Sequence, residues 1–187
     1  MNVGTTTTRA TTTTTAPTAT TTAATITTTS APPAPAQTER AEALAVNAVL
    51  VESGSDRNRL RAAVAALGSC TDVPSQAQVM NALAASRRQL LTRTEGLDFH
   101  SLPGGAALKA VLVRALTSSV QADQDLAAWA NDLARTGCSP GNTTNDPNYQ
   151  SATAPDNAAE SEKGEFAQMW DPIAKQFSLP AQTDNSF

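Results

Sequence analysis

The sequence predicts an all-α protein: an up-down-up-down four-helix bundle with an extra C-terminal helical segment and a disordered Thr-rich N-terminal tail. Three observations predict it. Beyond Thr38, apolar residues recur at helical spacing, no segment alternates with period two, and glycines punctuate the periodic runs. Before it, 18 of the first 38 residues are threonine and large apolar side chains are nearly absent. Of the 187 residues, about 140 are left to fold, which suits one domain with a real core. The expected organisation is a Thr/Ala/Pro-rich stalk or tail over 1–37, a bundle domain over 38–180 with an internal loop at 139–156, and a disordered tail over 181–187.

Each element has its own signal. Thr38 is a candidate N-cap, and Ala41, Leu44, Ala48 and Val51 share one face of the helix it opens. Gly54 reads as the stop of that helix and Ser55 as the start of the next. The second helix buries Leu60, Ala63, Val64 and Leu67 and ends at Gly68, with Arg57, Arg59 and Arg61 on a solvated face. Ser75 and Gln78 form a capping box for a third helix, with Val79, Leu83, Leu90 and Leu91 buried and Gly96 closing it. Leu97–Gly105, with its Pro-Gly-Gly, is a loop. The fourth and clearest helix carries Leu108, Val111, Leu112, Leu116 and Leu133 and stops at Gly137.

Residues 139–156, rich in Asn, Pro, Gly and Asp, read as a loop containing the Asn142-Thr143-Thr144 sequon. A final amphipathic segment with Phe166, Met169, Trp170, Ile173 and Phe177 is expected to lie back across the bundle, broken or kinked near Asp171 by Pro172. Cys70 and Cys138 each follow a helix running in the same direction in this topology. Both therefore reach one end of the bundle, where a structural disulfide can form. The bridge points to an oxidising, extracytoplasmic setting; two reduced thiols in a cytosolic protein are the alternative.

Composition excludes several function classes. Residues 38–138 balance ten basic against ten acidic side chains, and residues 139–187 set Lys163 and Lys175 against seven acids. No segment offers the basic surface that nucleic acid or an anionic membrane requires. The chain shows no membrane span, export signal or anchor. Its Thr/Pro stretch fits an O-glycosylated stalk, or a tail without a role. With His100 alone in an Asp98-Phe99-His100-Ser101 loop, no di-iron, zinc or triad pattern is available, and phosphate-loop and nucleophile-elbow motifs are missing. Catalytic, cofactor-binding and metal residues are therefore expected to be none. The carboxylates Glu95 and Asp98, and Glu160, Glu162 and Glu165, lack the aromatic surroundings of a glycosidase cleft.

The run Trp129-Ala130-Asn131-Asp132, Gly137-Cys138, Asp146-Pro147-Asn148-Tyr149, Lys163, Phe166, Trp170-Asp171-Pro172-Ile173-Ala174 and Leu179-Pro180 resembles the C-terminal part of a group of uncharacterised actinobacterial (Streptomyces-like) cell-envelope proteins. Those carry a helical ectodomain, behind an anchor or lipoprotein signal, ending in a Trp-Asn-Pro-Ile-Ala-like run and Gly-Leu-Pro. Here Asp171 and Ser178 replace that Asn and Gly, and no anchor is seen. The resemblance implies a location and brings no activity. The expectation is a non-enzymatic extracytoplasmic domain for interaction or sensing at the cell envelope, with an envelope or protein partner. Alanine-rich helices (Ala62, Ala63, Ala65, Ala66; Ala82, Ala84, Ala85) would approach closely and leave little internal cavity. The alternative is a secreted small-molecule-binding or hydrolytic protein. Its cleft would lie between the C-terminal segment and the bundle, lined by Phe166, Trp170 and Glu165 or Asp171.

Overall fold

The computed structural model describes residues 35–141 and 143–187; the threonine-rich segment up to residue 34 and the sequon asparagine Asn142 lie outside the described residues. The described chain is helical, with no strand among the described residues: α1 (Pro35–Gly68), α2 (Val73–Gly96), α3 (Gly105–Thr136), α4 (Pro147–Ser151) and α5 (Thr153–Phe177). Among the described residues, no helix is long and apolar enough to cross a membrane.

The two helices expected on either side of Gly54 are one unbroken helix of 34 residues. Gly54 serves a different purpose. A Cβ there would lie 2.5 Å from the carbonyl oxygen of Ser186, so the missing side chain admits the end of the chain. The buried face of α1 is also not the expected one. Leu44 and Val51 are 45% and 61% exposed, while Ala43, Val46, Val49 and Leu50 face the core. An alanine-rich helix offers apolar residues on every side. The true inner face was disguised by the polar residues it also buries, Glu42, Ser53, Asp56 and Arg57.

In α2 the cap is Asp72, with φ 47° and no side-chain bond, and Pro74 occupies the first turn; the Ser75–Gln78 box is not the start. The end at Gly96 and the whole of α3, closed by Gly137 at φ 94°, follow the periodicity. Residues 139–156 are not a loop throughout. The Trp129 indole donates to the Thr143 carbonyl at 2.8 Å and meets the Tyr149 ring edge-on. That anchorage supports a 3-10 turn at Thr143–Asn145 and then α4, capped by Asp146. Nor does Pro172 break α5. It lies on the exposed side, as does Gln168 one turn earlier, whose carbonyl loses its partner; buried Ile173, Ala174 and Phe177 carry the helix on.

The four long helices are thus α1, α2, α3 and α5, with the C-terminal segment supplying the fourth. α1 packs on α2, α2 on α3, and α3 on α5. Cross-helix pairs fix the register: Asp56 with Ser86 at 2.6 Å, Asn81 with Asn131, and Arg114 with Glu165 at 2.9 Å. Cys70, just past α1, is joined to Cys138, just past α3. Closing 68 residues of chain stabilises the fold by about 4 kcal/mol in the chain-entropy account. The apolar core falls into two clusters. One gathers Leu50, Leu108, Leu112, Phe166, Trp170 and Phe187; the other, beside the disulfide, gathers Leu67, Met80, Trp129 and Leu133.

Residues 181–187, expected as a disordered tail, are docked. Ser178 takes a left-handed φ of 57° and turns the chain, and Leu179 N bonds back to Ala174 O. Trp170 then donates to the Pro180 carbonyl, and Asp171 accepts from Gln182 N at 3.0 Å. Phe187 is fully buried, edge-on to Phe166. Composition hid this because six polar or small residues precede the one anchoring ring. Gly54→Ala tests the arrangement. It should displace residues 184–187 and raise protease sensitivity there, even though alanine favours a helix over glycine by about 1 kcal/mol. Unchanged protection, with a gain in stability, would show that the close approach is absent.

Candidate ligand-binding cleft

Between the two apolar clusters lies a layer of buried polar residues, and every long helix contributes to it. Ser53, Asp56 and Arg57 come from α1, Arg87 from α2, Ser119 and Asp123 from α3, and Lys163 from α5. Arg87 is the hub. Its Nε donates to Asp123 Oδ2 at 3.0 Å and its Nη1 to Ser53 Oγ, with the Arg87 and Asp123 side chains only 2% and 5% exposed. Burial pushes the Asp123 carboxyl above its ordinary range, against the pull of the Arg87 guanidinium.

This layer opens into a cleft of about 420 Å³. α1 packs mainly on α2 and α5 mainly on α3, so the seam between α1 and α5 is the sparsely filled one. Three helical stripes line it. Arg57, Leu60, Arg61 and Val64 come from α1, Ser119, Ala122, Asp123 and Leu126 from α3, and Asp156, Glu160 and Lys163 from α5. The expectation of little internal room therefore fails. The alanines close the helices upon one another elsewhere, while long charged side chains hold this layer open.

Arg57, expected on a solvated face with Arg59 and Arg61, is buried here. It donates to the carbonyls of Asp184 and Phe187, to Asn185 Oδ1 at 2.8 Å and to Glu160 at 3.3 Å. Arg61 also reaches Asn185, and Arg59 pairs with Asp56. Two further groups stand at the wall. Ser119 Oγ is buried without a hydrogen-bond partner, and Lys163, 4% exposed, has the Phe187 ring rather than a carboxylate against its amine. Its Nζ stands 5.8 Å from the Phe187 ring centroid. Burial, then the charges of Arg87 and Arg57, lowers the Lys163 pKa from 10.5 to about 7.

The pocket expected around Phe166 and Trp170 is not formed. Both rings are fully buried, Glu165 is paired with Arg114, and Asp171 holds Gln182 N. Glu160 and Glu162 are likewise paired with arginines, Arg57 and Arg114. His100 is exposed in its loop, where the hydrogen bond to Asp98 raises its pKa. Sequence reasoning gives no role to Arg87, Ser119 or Asp123. The available signal was a polar residue interrupting each apolar stripe at about mid-helix. Comparison with protein-family models, with curated proteins and with solved structures gives no match.

The Lys163 environment fixes a pH dependence. An unfolded lysine keeps its proton up to about pH 10.4, whereas the folded one releases it near 7. Between those values the unfolded chain binds more protons, so stability rises with pH; below about 7 the cost of the buried charge is fully present. Lys163→Met should flatten the rise in denaturation midpoint between pH 7 and 9 and stabilise the protein most at the acid end. Parallel wild-type and variant profiles would contradict it.

Proposed function

We propose that the protein is a non-enzymatic binding domain that holds a small organic anion with an apolar body in the cleft between α1, α3 and α5. The observation that carries this is the unpartnered, buried Ser119 Oγ at the wall of a 420 Å³ cleft that the Lys163 side chain also lines. A buried hydroxyl without a partner costs about 1–3 kcal/mol, and a ligand carboxylate or carbonyl that accepts from it, with Lys163 as counter-charge, removes that cost. Leu60, Val64, Ala122 and Leu126 provide the apolar walls. With Arg87 paired to Asp123 and Arg57 to Glu160, Arg61 and Lys163 face only Asp156 as further carboxylate at the cleft, which favours an anion while Lys163 holds its proton, below about pH 7.

The same reading takes the fold as an up-down-up-down bundle, with short connections from α1 to α2 and from α2 to α3, a longer one through α4 to α5, and a disulfide joining the ends of α1 and α3. It places the domain outside the cytoplasm, where such a bridge persists. The likeness to actinobacterial envelope proteins bears on that location alone; the role proposed there is sensing or carriage, with the threonine-rich segment as a spacer. The test is a thermal-shift and calorimetric screen of medium-chain and aryl carboxylates. A saturable stabilisation that weakens about tenfold or more in Lys163→Met and Ser119→Ala is expected. Binding that ignores both substitutions, or none across the panel, would refute the assignment.

One observation favours a second reading. An amine with a pKa near 7 is a competent nucleophile at neutral pH. It could add to a carbonyl carbon of the ligand and expel water to form an imine. Borohydride trapping of an aldehyde on Lys163, seen as a mass increase absent from Lys163→Met, would select it over simple binding.

A further inference from the structure

At a second place, unconnected with the cleft, the fold brings three metal-binding side chains together: Glu42 from α1, and Asp98 and His100 from the loop joining α2 and α3. One donor atom from each lies within 4.8 Å of the others. We propose that these residues form a divalent transition-metal site, with Zn²⁺ as the ion that fits best.

Glu42 is the informative member. It is 7% exposed, and a carboxylate so far out of water needs compensation. Its Oε2 receives the backbone N–H of Ser101 at 2.9 Å, but its Oε1 has no hydrogen-bond partner. That oxygen stands 3.6 Å from His100 Nδ1, too far for a hydrogen bond. Two donors bound to one tetrahedral zinc at about 2.1 Å each are separated by about 3.4 Å, so the Glu42–His100 spacing is that of an ion's neighbours. Asp98 Oδ1 is at 2.5 Å from the same nitrogen and must move out by about 1 Å. The Asp98 and His100 side chains are 64% and 72% exposed, and the shift exchanges the bonds that Asp98 Oδ1 accepts from His100 Nδ1 and from His100 N at 3.2 Å for bonds to the ion.

The loop backbone is held while those side chains move. Phe99 and Leu102, on either side of His100, are 3% and 4% exposed, and Leu102 N bonds to Phe99 O. A side chain at Gly105 would lie on the Phe99 carbonyl, so the turn into α3 is fixed as well. Lys109 clamps the start of the loop through the carbonyls of Glu95 and Leu97, each at 2.7 Å. One imidazole and two carboxylates suit a first-row divalent ion better than Mg²⁺ or Ca²⁺, which prefer all-oxygen sites, and a fourth position is left for water. The bound ion would tie α1 to the α2–α3 loop.

The test is calorimetric titration of ZnCl₂ into the full chain, metal-free and above neutral pH, with MgCl₂ as the comparison. Wild type should take up about one zinc with micromolar affinity and little magnesium. His100→Ala and Asp98→Asn, both at exposed positions, should keep the helical circular dichroism and weaken zinc binding about tenfold or more. Absence of zinc binding, or zinc binding that both variants retain in full, would overturn the site.

Discussion

The buried Arg87–Asp123 ion pair, with Ser53 as third partner, is the constraint around which the rest of the molecule is arranged. It joins α1, α2 and α3 at mid-height, where an ordinary bundle would place leucines. A buried guanidinium and carboxylate are tolerated only while each satisfies the other; removal of one partner typically costs about 3–5 kcal/mol. Every neighbouring helix must therefore meet this layer with a polar or small residue. Ser119, Asp56 and Lys163 do so. The hydrophobic core is split in two as a result, one cluster at each end of the layer.

The split core has consequences for the C-terminal end of the chain. Charged side chains of unequal length cannot fill a layer to the density of interdigitated leucines, so a cleft remains where α1 and α5 run past each other. Arg57 closes one side of it by gripping Asp184, Asn185 and Phe187, whose ring joins the far apolar cluster. Gly54 makes the space for that docking. The C-terminal residues are therefore part of the cleft's wall system rather than an appendage. Lys163 sits where the two arrangements meet, between the Phe187 ring and the ion pair.

Much of the fold was legible in the sequence, and the failures have a common cause. α3 was read correctly from Leu108 to Gly137 because its apolar stripe is built from large residues and contrasts sharply with its polar side. In α1, alanines blur that contrast, so the exposed stripe of Leu44 and Val51 looks like the inner one. Gly54 and Pro172 both lie in helices whose continuity is decided by tertiary contacts, which local rules do not contain. The cleft was invisible for a related reason. Arg57, Arg87, Asp123 and Lys163 look like surface residues one at a time, and only their meeting at one level makes them a site. Glu42 and His100 likewise share no sequence spacing that marks a ligand set; a helix and a distant loop bring them together.

The most direct measurement is the titration of the Lys163 side chain, followed by NMR of its ε-carbon in the intact, oxidised protein. Its proton affinity depends on its burial from water and on the nearby guanidiniums of Arg87 and Arg57, the features that define the cleft. The account predicts a midpoint at about 7, with an upward shift on binding of a carboxylate ligand. A midpoint at the ordinary lysine value of about 10.4 would mean that the amine stands in water, and that the buried polar layer is not built as described.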